Sequence, residues 1–247
     1  MKTSNLMVVF ALCGMMLGLV GCTDLTGRGA APLDRTVGET ALEHPRVGHV
    51  YCLRGWLGIF STGMDALAEK IDKDVGASAV SVADEEWRRL QGFLIDAQQK
   101  GELTEPLVFV GHSYGADDVI RVAEELQKSG ISVDLMVLID PVTPPKVPTN
   151  VKRVYCVYKS HPVTDWYPAW RGVAASVVNE NVTPLVNIDL RTTDVGFDTS
   201  GITHPNIEKS EGVHNMVMEQ VKLACPLRAE WAREHPGLRT GTGVSAR

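Results

Sequence analysis

The stretch Val108-Phe109-Val110-Gly111-His112-Ser113-Tyr114-Gly115-Ala116 limits the fold of this chain more than any other. It reads G-x-S-x-G between a short apolar run at residues 107–110 and an amphipathic segment at 116–127. In the second segment Val119, Ile120, Ala123 and Leu126 share one side, the spacing of a helix with a buried stripe. A serine between two such glycines, at a strand-to-helix junction, sits on a sharp turn. The glycines keep side chains out of its way, so its hydroxyl stands above the sheet. The following helix directs its positive end toward that hydroxyl.

The segments around this turn alternate. Strands are expected at residues 47–53, 77–82, 107–110, 133–139, 151–158 and 185–190. Helices are expected at 62–72, 85–100, 116–127 and 211–224. Met64, Leu67, Ala68 and Ile71 stripe the first helix. Val213, Val217 and Val221 stripe the last, with Ser210 as its N-cap. Leu135-Met136-Val137-Leu138-Ile139 is apolar throughout, the mark of a strand covered on both faces. Right-handed crossovers between such strands give a three-layer, doubly wound α/β domain with a mostly parallel sheet of about six strands.

The first residues read as a targeting segment. Lys2 precedes an apolar run at residues 6–20, closed by Leu19-Val20-Gly21-Cys22, so residues 1–21 form a signal peptide ending in small residues. The four closing residues resemble the bacterial lipobox. That resemblance implies an acylated Cys22, a palmitate-type anchor in the bilayer and a place at the cell envelope. Thr23 rather than aspartate after Cys22 implies the periplasmic face of the outer membrane. Residues 22–46 are Gly, Ala, Pro, Thr and charge without periodicity, a flexible tether spanning roughly 25–30 Å. One domain at residues 47–225 and a polar tail at 226–247 complete the chain. The formal charge of −6 and the lack of a lysine or arginine cluster argue against nucleic acid. Cys52, Cys156 and Cys225 show no C-x-x-C spacing, so no zinc or redox motif is present.

Strand, turn, helix and alternation together resemble a minimal α/β-hydrolase fold without a lid domain, over residues 47–224. The first strand here matches that family's third, and the serine follows the fifth. A serine hydroxyl needs a base and the base an orienting group, and the family's chain order is Ser, acid, His. The resemblance then implies Ser113 as nucleophile. His204, in the loop before the last helix, is preferred as base over His214, one turn inside that helix. Asp140, in Leu138-Ile139-Asp140-Pro141, is preferred as acid over Asp165; this layout is similar to the thioesterase domains of peptide and polyketide synthetases. The oxyanion donors expected are the backbone amides of Tyr114 and of Trp56 in Arg54-Gly55-Trp56-Leu57-Gly58, where Arg54 replaces the usual histidine. The implied activity is cleavage of an acyl ester or thioester through an acyl-enzyme, with no metal or organic cofactor. An amidase or acyltransferase with the same parts, or a silent binding or scaffold lipoprotein, are the alternatives. Residues 141–150 are proline-rich and lack helical periodicity, which predicts an uncovered site that Trp166, Tyr167 and Trp170 wall from above.

Overall fold

The computed structural model describes residues 44–55, 61–83, 86–103, 105–162, 166 and 171–236. The strands are β1 (His49–Leu53), β2 (Ser78–Val82), β3 (Leu107–His112), β4 (Leu135–Ile139), β5 (Val154–Tyr158) and β6 (Leu185–Asp189). They form one sheet in the order β2-β1-β3-β4-β5-β6, with every pair parallel. The helices are α1 (Gly63–Lys70), α2 (Trp87–Lys100), α3 (Tyr114–Lys128), α4 (Glu211–Ala224) and α5 (Arg228–Glu234).

The alternation of side chains along each strand builds the three layers. Leu107, Phe109, Met136 and Leu138 pack with Leu90 and Leu94 of α2 and Val119, Ile120, Ala123 and Leu126 of α3. Val108, Val110, Val137 and Ile139 point the other way. They meet Met64, Leu67 and Ala68 of α1 and Val213, Val217 and Val221 of α4. The central strands are buried along their whole length, whereas β6 is an edge strand with Val186 exposed.

The expected elements are present with shifted ends. Helix α1 runs on into a π turn at Ile71–Val75 that closes at left-handed Gly76. Helix α3 begins at Tyr114, directly after the serine, and Ser210 caps α4 by accepting from the Val213 amide. Isolated bridges at Val133 and Val151 extend β4 and β5 backwards. The segment read as a polar tail is ordered in its first part. Arg46 bridges Leu227, the Arg228 amide donates to the Pro45 carbonyl, and α5 follows. Its apolar stripe is too thin to register in the sequence, and no residue of α5 is buried. Cys22 lies outside the described residues, and Cys52, Cys156 and Cys225 are free and buried. Among the described residues no helix is long and apolar enough to cross a membrane.

Candidate active site

The elbow is built by close backbone approach. Ser113 holds φ 58° and ψ −126°, a left-handed geometry that costs a non-glycine residue about 1–3 kcal/mol. A Cβ on Gly111 would lie 2.4 Å from the Gly115 carbonyl oxygen, and one on Gly115 would lie 2.2 Å from that of Arg54. Any side chain at either position would push α3 off the ends of β1 and β3. The Ser113 amide donates to the Ile139 carbonyl at 3.0 Å, fixing the turn to β4. Tyr114 is the first residue of α3, so its amide belongs to the first-turn donors that have no acceptor within the helix.

Ser113 Oγ lies 2.9 Å from His204 Nε2, and His204 Nδ1 lies 2.7 Å from Asp140 Oδ2. All three residues are buried. An ionised carboxylate only accepts, so the proton of neutral His204 sits on Nδ1 and Nε2 is left to accept from the serine hydroxyl. Asp140 follows β4 directly, with φ 49°, and its amide donates to the Val157 carbonyl at 2.8 Å. A Cβ on Gly172 would fall 1.6 Å from Asp140 Oδ1, so the segment after residue 170 lies directly against the carboxylate.

Lys159 connects Asp140 with the segment that leads into His204. Its amide donates to Asp140 Oδ1 at 2.8 Å. Its buried ammonium donates to the carbonyls of Thr199 (2.6 Å), Ile202 (2.8 Å) and Ser200 (3.4 Å), which lead into His204. Asp117, in the first turn of α3, accepts from the Val142 and Thr143 amides and the Thr143 hydroxyl, fixing the chain just past Asp140. Burial raises its carboxyl pKa, and these hydrogen bonds oppose the rise.

His214 is held elsewhere. Its Nε2 lies 2.6 Å from the Glu208 carbonyl and its buried Nδ1 has no partner, while burial lowers its pKa. Arg54, the substitute for the expected histidine, forms a two-pronged ion pair with Asp65 of α1. Trp56, Asp165, Tyr167 and Trp170 lie outside the described residues. Trp166 is exposed, and no described residue between β4 and β6 is helical.

His112, Ser61, Asp117, Lys159 and Gly172 are parts of this site that the sequence reading did not single out. Only His112 had a signal, its place inside the G-x-S-x-G turn. The others reach the site from distant segments with no local pattern.

No family model matches the sequence, and no curated protein is similar to it in sequence. Among solved structures, an arylesterase aligns at 12% identity with a TM-score of 0.50, covering 75% of this chain and 78% of that one. The RedJ thioesterase of the prodiginine pathway in Streptomyces coelicolor aligns at 12% identity with a TM-score of 0.41, covering 80% and 91%. An esterase from the archaeon Pyrobaculum calidifontis aligns at 21% identity with a TM-score of 0.33, and the match spans only 40% of this chain and 38% of that one. The likeness to the arylesterase is one of fold: six parallel strands in a helix-covered sheet, the α/β-hydrolase arrangement.

Proposed function

We propose that this protein is a serine hydrolase that cleaves a carboxylic ester or thioester through an acyl-enzyme. The observation that carries the reading is the hydrogen-bonded series Ser113 Oγ, His204 Nε2, His204 Nδ1, Asp140 Oδ2, assembled on a strained elbow. Ser113 Oγ attacks the acyl carbon while its proton passes to His204 Nε2. Asp140 stays ionised, holds the ring in the right tautomer and stabilises the imidazolium. The negative oxygen of the tetrahedral intermediate is met by the Tyr114 amide at the start of α3, a donor worth about 3 kcal/mol; the Trp56 amide, the second donor expected from the sequence, lies outside the described residues. Collapse expels the alcohol or thiol with the proton from His204. Water then attacks the acyl-enzyme by the same path in reverse.

The name of the fold neighbour, arylesterase, agrees with this chemistry. The lipobox-like end of the signal segment adds the proposal that the enzyme is carried on acylated Cys22 at the bacterial cell envelope. Two measurements test the pair of claims. A fluorophosphonate probe should label the parent protein and leave Ser113→Ala unlabelled; a parent that takes no label is a silent fold, and the hydrolase reading fails. Palmitate labelling in cells should be lost in Cys22→Ala. Equal labelling of that variant would reject the anchor and leave the chemistry untouched.

A further inference from the structure

His112 stands next to the nucleophile, has no part in the proton path above, and yet uses both ring nitrogens. Its Nδ1 lies 2.6 Å from Ser61 Oγ and its Nε2 lies 3.2 Å from the backbone oxygen of His204. Ser61 Oγ in turn accepts from the Gly55 amide at 3.1 Å. The two ends of this chain set its direction. A carbonyl oxygen only accepts, so Nε2 carries the ring proton; the neutral ring then offers Nδ1 as an acceptor. The Ser61 hydroxyl donates to Nδ1 and keeps its lone pairs for the Gly55 amide. Every polar group in the series is satisfied in one arrangement only.

The series joins three segments far apart in the chain. One is the pair Gly55 and Ser61, where Ser61 takes φ 66° and accepts from the Gly55 amide. The position a Cβ would occupy on Gly55 lies 2.9 Å from both Ser61 Oγ and Ser113 Cβ, so Gly55 rests against the nucleophile. The second is the end of β3, and the third is the turn that presents His204. Burial holds His112 well below the ordinary histidine pKa, and the His204 charge pushes the same way. A neutral ring keeps a second positive charge away when His204 takes the serine proton, their centroids being 5.3 Å apart.

We propose that His112 and Ser61 are positioning residues for the hydrolysis, a relay that holds Gly55 and the His204 turn in register on Ser113. The proposal rests on the hydrolase reading. It differs from a merely structural pairing because the relay touches no substrate, so its loss should appear in kcat and not in KM.

The full chain and its variants are assayed with para-nitrophenyl acetate, with folded protein counted by circular dichroism. His112→Phe should lower kcat about 100-fold with KM within about two-fold, the scale expected when reacting groups shift by about 1 Å. His112→Gln, whose amide still donates to the His204 carbonyl, should restore most of that loss. Ser61→Ala should cost about 10-fold in the parent and almost nothing in His112→Phe, because coupled residues are not additive. The relay is overturned if His112→Phe keeps kcat within about three-fold of the parent, if its loss lies in KM, if Gln restores nothing, or if the Ser61→Ala factor is the same in both backgrounds. A parent without turnover or fluorophosphonate labelling overturns the hydrolase reading instead, so the two failures are distinct.

Discussion

The two ends of the sheet solve the same backbone problem differently. Where chains turn into the amino ends of strands, left-handed geometry is given to glycine: Gly48 before β1, Gly76 before β2, Gly101 before β3 and Gly130 before β4. At the carboxyl ends the non-glycine residues with positive φ are Ser61, Ser113 and Asp140. Glycine removes the strain at the first set at no chemical loss. At the second set the proposed chemistry needs the side chain, and the strain is kept. Buried polar groups occur at both ends, with His49, Ser78 and Thr183 at the amino end and the larger set, including His112, Ser113, Asp140, Lys159 and His204, at the carboxyl end. The amino end is braced instead by Arg46, which donates to the carbonyls of Val75, Lys222 and Cys225. Backbone strain in non-glycine residues therefore gathers where a reaction would use it, and the opposite end supplies the clamp.

The largest effect expected from this division is on activity. Asp140→Asn should lower kcat about 10,000-fold on para-nitrophenyl acetate, because an amide presents the wrong histidine tautomer to Ser113. His214→Ala, removing a ring already committed to the Glu208 carbonyl, should keep the rate per folded molecule within a few-fold. The reverse ranking would move the site away from the carboxyl end of β4.

The next effect is on stability against pH. Glu208 is buried against the amide of Gly63, near Arg54, Asp65 and Lys209, and its pKa is raised to about 7, chiefly by desolvation. Between its ordinary value of 4.5 and about 7 the folded protein keeps a proton that the unfolded chain has released. Stability contributed by this group is thus fully present below pH 4.5 and lost as pH rises through about 7, by about 3 kcal/mol. Glu208→Gln should raise Tm by several degrees at pH 8 and change it little at pH 4.5. Equal shifts at both values would show that desolvation of this carboxylate is not the cause.

Smaller still, and opposite in sign at the two ends, are the backbone effects. Ser113→Gly should abolish turnover while raising stability by about 1 kcal/mol, since glycine accepts the elbow geometry. Gly76→Ala should lower stability by about 1–2 kcal/mol, through its φ of 75° and a Cβ placed 2.5 Å from Pro45 Cγ. Thermal melts that moved both proteins the same way would break the comparison between the two ends. The smallest effect is expected from substrate size. With no described helix between β4 and β6, activity should not jump when a long-chain ester passes its solubility limit. A steep rise at that point would reveal a cover over the site.

The sequence by itself determined the layers, the mostly parallel sheet and the elbow. These follow from local pattern: apolar runs between striped helices, and two glycines around a serine where backbones cross. It also narrowed the partners of Ser113 to two acids and two histidines, with Asp140 and His204 preferred through the family resemblance. His204 and His214 lie within one stretch of chain and differ in the direction their side chains face, which depends on how the turn at 203–206 and α4 pack. The contact itself is made by the fold, which brings His204 to Ser113 across 91 residues and to Asp140 across 64. The Lys159 bolt, the Asp117 clamp and the His112–Ser61 relay were likewise decided only in three dimensions. A buried polar group is stable only when its partners surround it, and those partners come from segments whose periodicity carries no trace of the meeting.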